Sequence, residues 1–120
     1  MERVTLLSVD AADLQDFVEF EEGEVVRRTV CEGERLWAQT ICMGRNGSYG
    51  PVSEQEADAM LTIATGEAVF LVDKKRKRMQ QWGSVLVPAG AELVVRNAST
   101  EPLVILMVAA PPPPPRPGNG

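Results

Sequence analysis

The stretch Gly83-Ser84-Val85-Leu86-Val87-Pro88-Ala89-Gly90-Ala91-Glu92-Leu93-Val94-Val95-Arg96-Asn97 reads as a strand, a tight corner and a second strand. Valine-rich runs favour the pleated surface of a sheet, and a proline between them rules out one continuous helix. Pro88 and Gly90 suit the second and fourth positions of a type I turn. The proline ring pre-sets φ, and glycine closes the corner. On the second strand Leu93, Val95 and Asn97 share one face, because strand side chains alternate.

The rest of the chain repeats this pattern of short β candidates. They are Val25–Cys31, Leu36–Met43, Ala59–Ala64, Ala68–Val72, Val85–Val87, Leu93–Asn97 and Leu103–Val108, parted by Gly, Asn, Pro or charged clusters. That spacing belongs to a sandwich or barrel, and no segment sustains a helical period. Leu103–Val108 lacks polar alternation and is expected to be a central strand buried on both faces. Val4–Val9 is a first strand or an extended arm, and Asp10–Gln15 offers one helical turn. At 120 residues the chain is one domain. Residues 1–110 form it, with residues 1–22 as arm and short helix. Residues 111–120 are a Pro-rich tail in which Pro111–Pro115 cannot donate to helix or sheet. It is expected to be an extended, disordered tail rather than a ligand for a proline-recognising domain.

Hydrophobic residues at 44% and charged residues at 24% are ordinary for a globular chain. A net charge of −5 argues against general nucleic-acid binding. The longest apolar run, Leu103–Ala110, is too short to span a membrane, and the N-terminus lacks the pattern of a signal peptide. With Glu32–Arg35 as a hairpin turn, Cys31 faces Leu36 and Cys42 faces Val25, too far apart for a bridge. Two free thiols fit a reducing cytoplasm.

The Gly83–Asn97 stretch resembles the second conserved motif of the cupins, which runs Gly, a short gap, then Pro-x-Gly-x-x-His-x-x-x-Asn. Pro88, Gly90 and Asn97 match it; the His position holds Leu93. The gap between Gly83 and Pro88 is one residue shorter than usual. Gly66-Glu67 with the following Ala-Val-Phe-Leu-Val resembles the Gly-Glu hairpin that closes the family's first motif. Counting back from Gly66 places the acidic ligand position at Ala59. The two His positions fall at Val52 and Glu54, or at Ser53 and Gln55 if the loop is one residue shorter. Gly50-Pro51 resembles the lead-in to those histidines. The likeness covers residues 25 to 110. It implies an all-β fold, a small double-stranded β-helix or jelly-roll barrel. It also implies a homodimer paired through N-terminal strands, with Val4–Val9 as the arm.

The chain contains no histidine. One remaining carboxylate among four ligand positions does not offset the desolvation of a divalent ion, so no metal and no other cofactor is expected. Glu54 is the first candidate for acid–base work. Turned inward among Ala59, Leu93 and Thr62 it would be harder to ionise. On an exposed loop beside Glu56 and Asp58 it would be a solvated charge. Tyr49 either offers a hydroxyl to a ligand or caps the barrel rim. The candidate ligand-binding wall is Val52, Ala59, Thr62, Leu93 and Val95, with Trp37 and Gln39 from the strand before. Its apolar make-up with a scattered amide or hydroxyl suits a small-molecule pocket, and equally a filled core. Lys74-Lys75-Arg76-Lys77-Arg78 is expected at a solvated hairpin tip, and Trp82 is expected to pack over the end of the barrel. Three functions follow: a metal-free barrel that binds a small, largely apolar molecule; a metal-independent isomerase or cyclase using one carboxyl or phenol; or an interaction protein with a filled barrel.

Overall fold

A computed structural model describes residues 11–112. The Val4–Val9 arm and the tail beyond residue 112 lie outside the described residues. Nine strands are present among those described: β1 (Val25–Glu32), β2 (Trp37–Met43), β3 (Ser48–Ser53), β4 (Asp58–Thr65), β5 (Ala68–Val72), β6 (Lys75–Met79), β7 (Ser84–Val87), β8 (Glu92–Asn97) and β9 (Leu103–Ala110). They form two antiparallel sheets, ordered β1-β2-β9-β4-β7 and β3-β8-β5-β6. No helix among the described residues is long and apolar enough to cross a membrane.

The alternation in sequence dictates which face turns inward. Ile41 and Met43 on β2, Leu61 and Ile63 on β4, and Leu103, Ile105 and Met107 on β9 meet Ala68, Phe70, Leu93 and Val95 of the second sheet in one core. β9 is the central strand expected from its unbroken apolar run, flanked by β2 and β4. Its outward residues Leu106 and Val108 are only half-buried.

The register gives the barrel two unlike ends. Met43 pairs with Leu103 at one end and Trp37 with Ala109 at the other. At the first end Met43, Ile63, Ala68 and Leu103 are fully buried. Asn97 closes it: the side-chain amide donates to Gly44 O at 3.0 Å and Glu101 O at 2.8 Å, while its oxygen accepts from the Ser99 amide at 3.0 Å. The motif's asparagine is therefore a structural tie between the β2–β3 and β8–β9 loops. Gly66 also lies at this end, where a Cβ would meet Pro102 O at 2.6 Å. At the second end lie the turns β1–β2, β3–β4, β5–β6 and β7–β8.

Several expectations need correction. The Pro88 corner is not a type I turn with Pro88 second. Ala91 N donates to Pro88 O at 3.0 Å, so Pro88 is first and Ala89–Gly90 are central. Gly90 has φ +87, which makes the turn type II, the class that needs a left-handed third residue. The cationic run is not a hairpin tip. Lys75–Met79 is an edge strand, and the tip is the pair Asp73 and Lys74, both with positive φ as a two-residue type I′ turn requires. Charged side chains on an edge strand also discourage unwanted pairing. Trp82 does not pack over the barrel; it is 74% exposed. The expected helical turn falls later, as a 3-10 turn at Leu14–Phe17. Asp13 caps it, with its carboxylate accepting from Gln15 N. Cys42 pairs with Val26 and Cys31 with Ala38, each off the expected partner, after a bulge between Thr29 and Cys31. Both cysteines are free.

Candidate binding site at the open end of the barrel

The four positions that the sequence pattern marks for ligands do not converge as donors. Val52 pairs with Leu93 across β3 and β8, which fixes the inward register on Val52 rather than Ser53. Ala59 pairs with Val87 and Ala109. Val52, Ala59 and Leu93 all pack on the common core. Glu54 lies just past β3 in the loop to β4, half-buried, and its backbone carbonyl accepts from Gly90 N at 2.8 Å. Gln55, its rival for the inward position, is exposed and bonds to Ser53 Oγ at 3.0 Å. Alkyl side chains carry no lone pair, so these positions do not fit a transition-metal centre. Among the described residues no group of three His, Cys, Asp or Glu side chains comes together.

Val52, Ala59 and Leu93 line the second end of the barrel, its mouth, with apolar side chains. Leu93, Val87 and Met107 form its buried floor. Trp37, Val52, Ala59 and Val72 pack against the core around it and are half-buried. Val95 is fully buried one step deeper. Thr62 is the exception among the proposed wall residues. It shares its face with exposed Met60, its hydroxyl bonds to Ser84 Oγ, and it looks outward, because Leu61 and Ile63 take the inward positions on β4.

Gly50 explains how β3 carries both Tyr49 and Val52 inward. The β3–β8 register shifts between Tyr49 and Val52, and Gly50 sits in that bulge with φ +103. A Cβ there would collide with the Leu93 carbonyl oxygen. A three-residue interval normally sends two strand side chains to opposite faces; the bulge returns them to one. Tyr49 therefore packs on the core and not on the rim loop.

Reasoning from sequence misses one residue. Arg27 on β1 pairs with Ile41, so it belongs to the inward face. Its Nε donates to Gln39 Oε1 at 3.0 Å, and its guanidinium carbon lies 5.2 Å from the Tyr49 ring centre. Arg27 thus spans the seam between the edge strands of the two sheets. Gln39, only 8% exposed, is oriented by this bond and by its own amide donating to Thr29 Oγ1 at 3.4 Å. The available signal is register: Val25, Arg27 and Thr29 alternate in step with Met43, Ile41 and Gln39.

On the outside of the first sheet, the segment Phe17–Phe20 crosses β2. Thr40 Oγ1 donates to Phe17 O at 2.7 Å, and Cys42 lies fully buried beside it. Burial pushes the Cys42 thiol up from 9.0, against hydrogen bonds from the Glu19 backbone and the Thr40 side chain that pull it down; the Glu19 charge adds a smaller push upward.

No family model matches the chain, and no curated protein matches it. Solved structures do. The protein TT1209 from Thermus thermophilus superposes with a TM-score of 0.82 at 23% identity, over 88% of this chain and 100% of that one. A conserved protein with a double-stranded beta-helix domain from Klebsiella pneumoniae gives a TM-score of 0.80 at 16% identity, over 87% and 91%. A cupin 2 conserved barrel domain protein from Leptotrichia buccalis gives 0.71 at 26% identity, over 81% of this chain and 46% of that one. With two antiparallel sheets closed in this order, the chain has the cupin fold, a double-stranded β-helix.

Proposed function

We propose that this cupin-fold protein works without a metal and binds a small, largely apolar molecule at the open end of its barrel, without redox chemistry. The observation that carries the reading is the set of side chains at the ligand positions. Val52, Ala59 and Leu93 are turned inward and apolar, and Val52 and Ala59 stay partly open to solvent. A concave, mostly apolar lining with a few placed polar groups is the general form of a small-molecule site. Here Gln39, Tyr49 and Arg27 supply those groups. A filled barrel is the second reading, favoured by the burial of Leu93, Val87, Val95 and Met107.

The test is elemental analysis of protein purified without chelator, followed by native mass spectrometry for a retained small molecule. Absence of stoichiometric transition metal is expected, with ligand-dependent thermal stabilisation that Ala59→Leu removes. A stoichiometric metal that resists dialysis overturns the reading.

The homodimer belongs to the same proposal. Met60 at 46% and Leu86 at 65% exposure pair across β4 and β7 on the outer face of the first sheet, an apolar pair that a second copy would cover. Sedimentation at micromolar concentration is expected to give a dimer. The free cysteines favour a reducing compartment such as the cytoplasm.

A further inference from the structure

We propose that residues 4–9 of this chain, Val-Thr-Leu-Leu-Ser-Val, dock in cis into a groove on the outer face of the first sheet, at the Asn97 end. The groove lies at the other end of the barrel from the mouth, and the inference does not depend on a ligand there. Its volume is about 1040 Å³. Leu14, Val18 and Phe20 line it from the N-terminal segment, and Ala64, Pro102 and Val104 line it from the barrel.

The groove continues a cover that the chain has already begun. On β2 the outward Thr40 and Cys42 are fully buried, with Phe17 O accepting from Thr40 Oγ1. Cys42 pairs with Val104, so the groove starts one strand further across the sheet. Beyond it Ala64 stands at the bulge between Ile63 and Thr65, where the β4–β9 ladder is interrupted. Gln81 Nε2 donates to the Ala64 carbonyl at 2.9 Å. The described chain begins at Ala11, three residues before Leu14 in the groove wall. The ten residues ahead of Ala11 reach up to about 33 Å when extended, so they enter the groove without leaving their own molecule. Tethering also raises their local concentration far above that of a second copy at micromolar protein. Their composition fits the groove. Val4, Leu6, Leu7 and Val9 bring apolar side chains to its apolar surface. The amides of Gln15, Gln80 and Gln81 bring donors and acceptors to the backbone of an extended segment.

Disulfide trapping in the full chain tests this. With Cys31→Ser as background, Ala64→Cys is combined in turn with Val4→Cys, Leu6→Cys, Leu7→Cys and Val9→Cys. Mild oxidation is expected to close a bridge within one chain for at least one pair. That bridge should form about tenfold or more faster than the same arm cysteine bridges to Leu36→Cys, an exposed position at the opposite end of the barrel. Equal rates to positions 64 and 36 overturn the groove as the docking site. Bridges that join two chains assign the arm to a second copy and overturn docking in cis. A bridge that forms only after a retained small molecule, seen by native mass spectrometry, has been stripped away makes that molecule the occupant, and the proposal fails. Should Ala64→Cys unfold the chain, hydrogen exchange of the unsubstituted protein decides. Exchange at residues 4–9 about tenfold or more slower than in a free peptide of that sequence supports the docking, and exchange at the free-peptide rate overturns it.

Discussion

The two ends of the barrel are built from the same strands and differ in what they finish. At the Asn97 end Met43, Ile63, Ala68 and Leu103 are fully buried, Val25 and Met79 beside them are half-buried, and one amide binds the loops together. At the Trp37 end Leu93, Val87 and Met107 are buried, while Trp37, Val52, Ala59 and Val72 around them are half-buried. At the second end the corner beside Leu93 is held by contacts that do not involve its side chain. Gly90 N bonds to Glu54 O and Ala89 N to the Asp58 carboxylate at 2.8 Å, whatever side chain stands at position 93.

Truncation should separate the ends most strongly. Phe70→Ala removes a fully buried ring and is expected to cost about 3–5 kcal/mol, whereas Val52→Ala at the mouth should cost about 1 kcal/mol or less, both read by urea denaturation. Comparable losses would mean that the mouth is packed as tightly as the core. Enlargement gives the converse test on two inward alanines. Ala68→Leu should destabilise by about 1–3 kcal/mol, because no space exists around a fully buried site. Ala59→Leu should stay within about 0.5 kcal/mol and instead block ligand binding.

The smallest effect concerns the outer face near the closed end. Burial raises the Cys42 pKa above 9.0, so the folded chain favours the neutral thiol. That contribution is whole below about pH 9 and is lost as pH climbs through the folded-state value. Wild type should therefore lose stability relative to Cys42→Ala in alkaline buffer, while exposed Cys31 reacts with thiol reagents at neutral pH and Cys42 does not. Equal reactivity would show that the Phe17–Phe20 segment leaves β2 open.

Much of this architecture is legible in the chain. The run Ala68–Val72 is a strand with the expected bounds, and Leu93 and Val95 lie on one buried face as alternation requires. Two strands are hidden. Ser48–Ser53 contains Gly50-Pro51, which reads as loop because its bulge depends on the close approach of β8. Lys75–Met79 carries so much charge that only its place at a sheet edge explains it as a strand. The site is less legible than the fold. Sequence alone puts Thr62 on the wrong face, since Thr62 and Leu61 differ by a single step of alternation and nothing local chooses between them. The contacts of Arg27 with Gln39 and Tyr49 are likewise invisible in sequence, because they depend on the register that β2 supplies.

The chain has only two tryptophans, and the fold places one at each end. Trp37 stands half-buried at the mouth; Trp82 projects from the β6–β7 loop with a positive φ, its backbone N–H bonded to Ile63 O at 2.8 Å. The molecule is thus its own two-channel fluorimeter. An aqueous quencher should silence Trp82 first and leave an emission that reports on the surroundings of Trp37 without any added label.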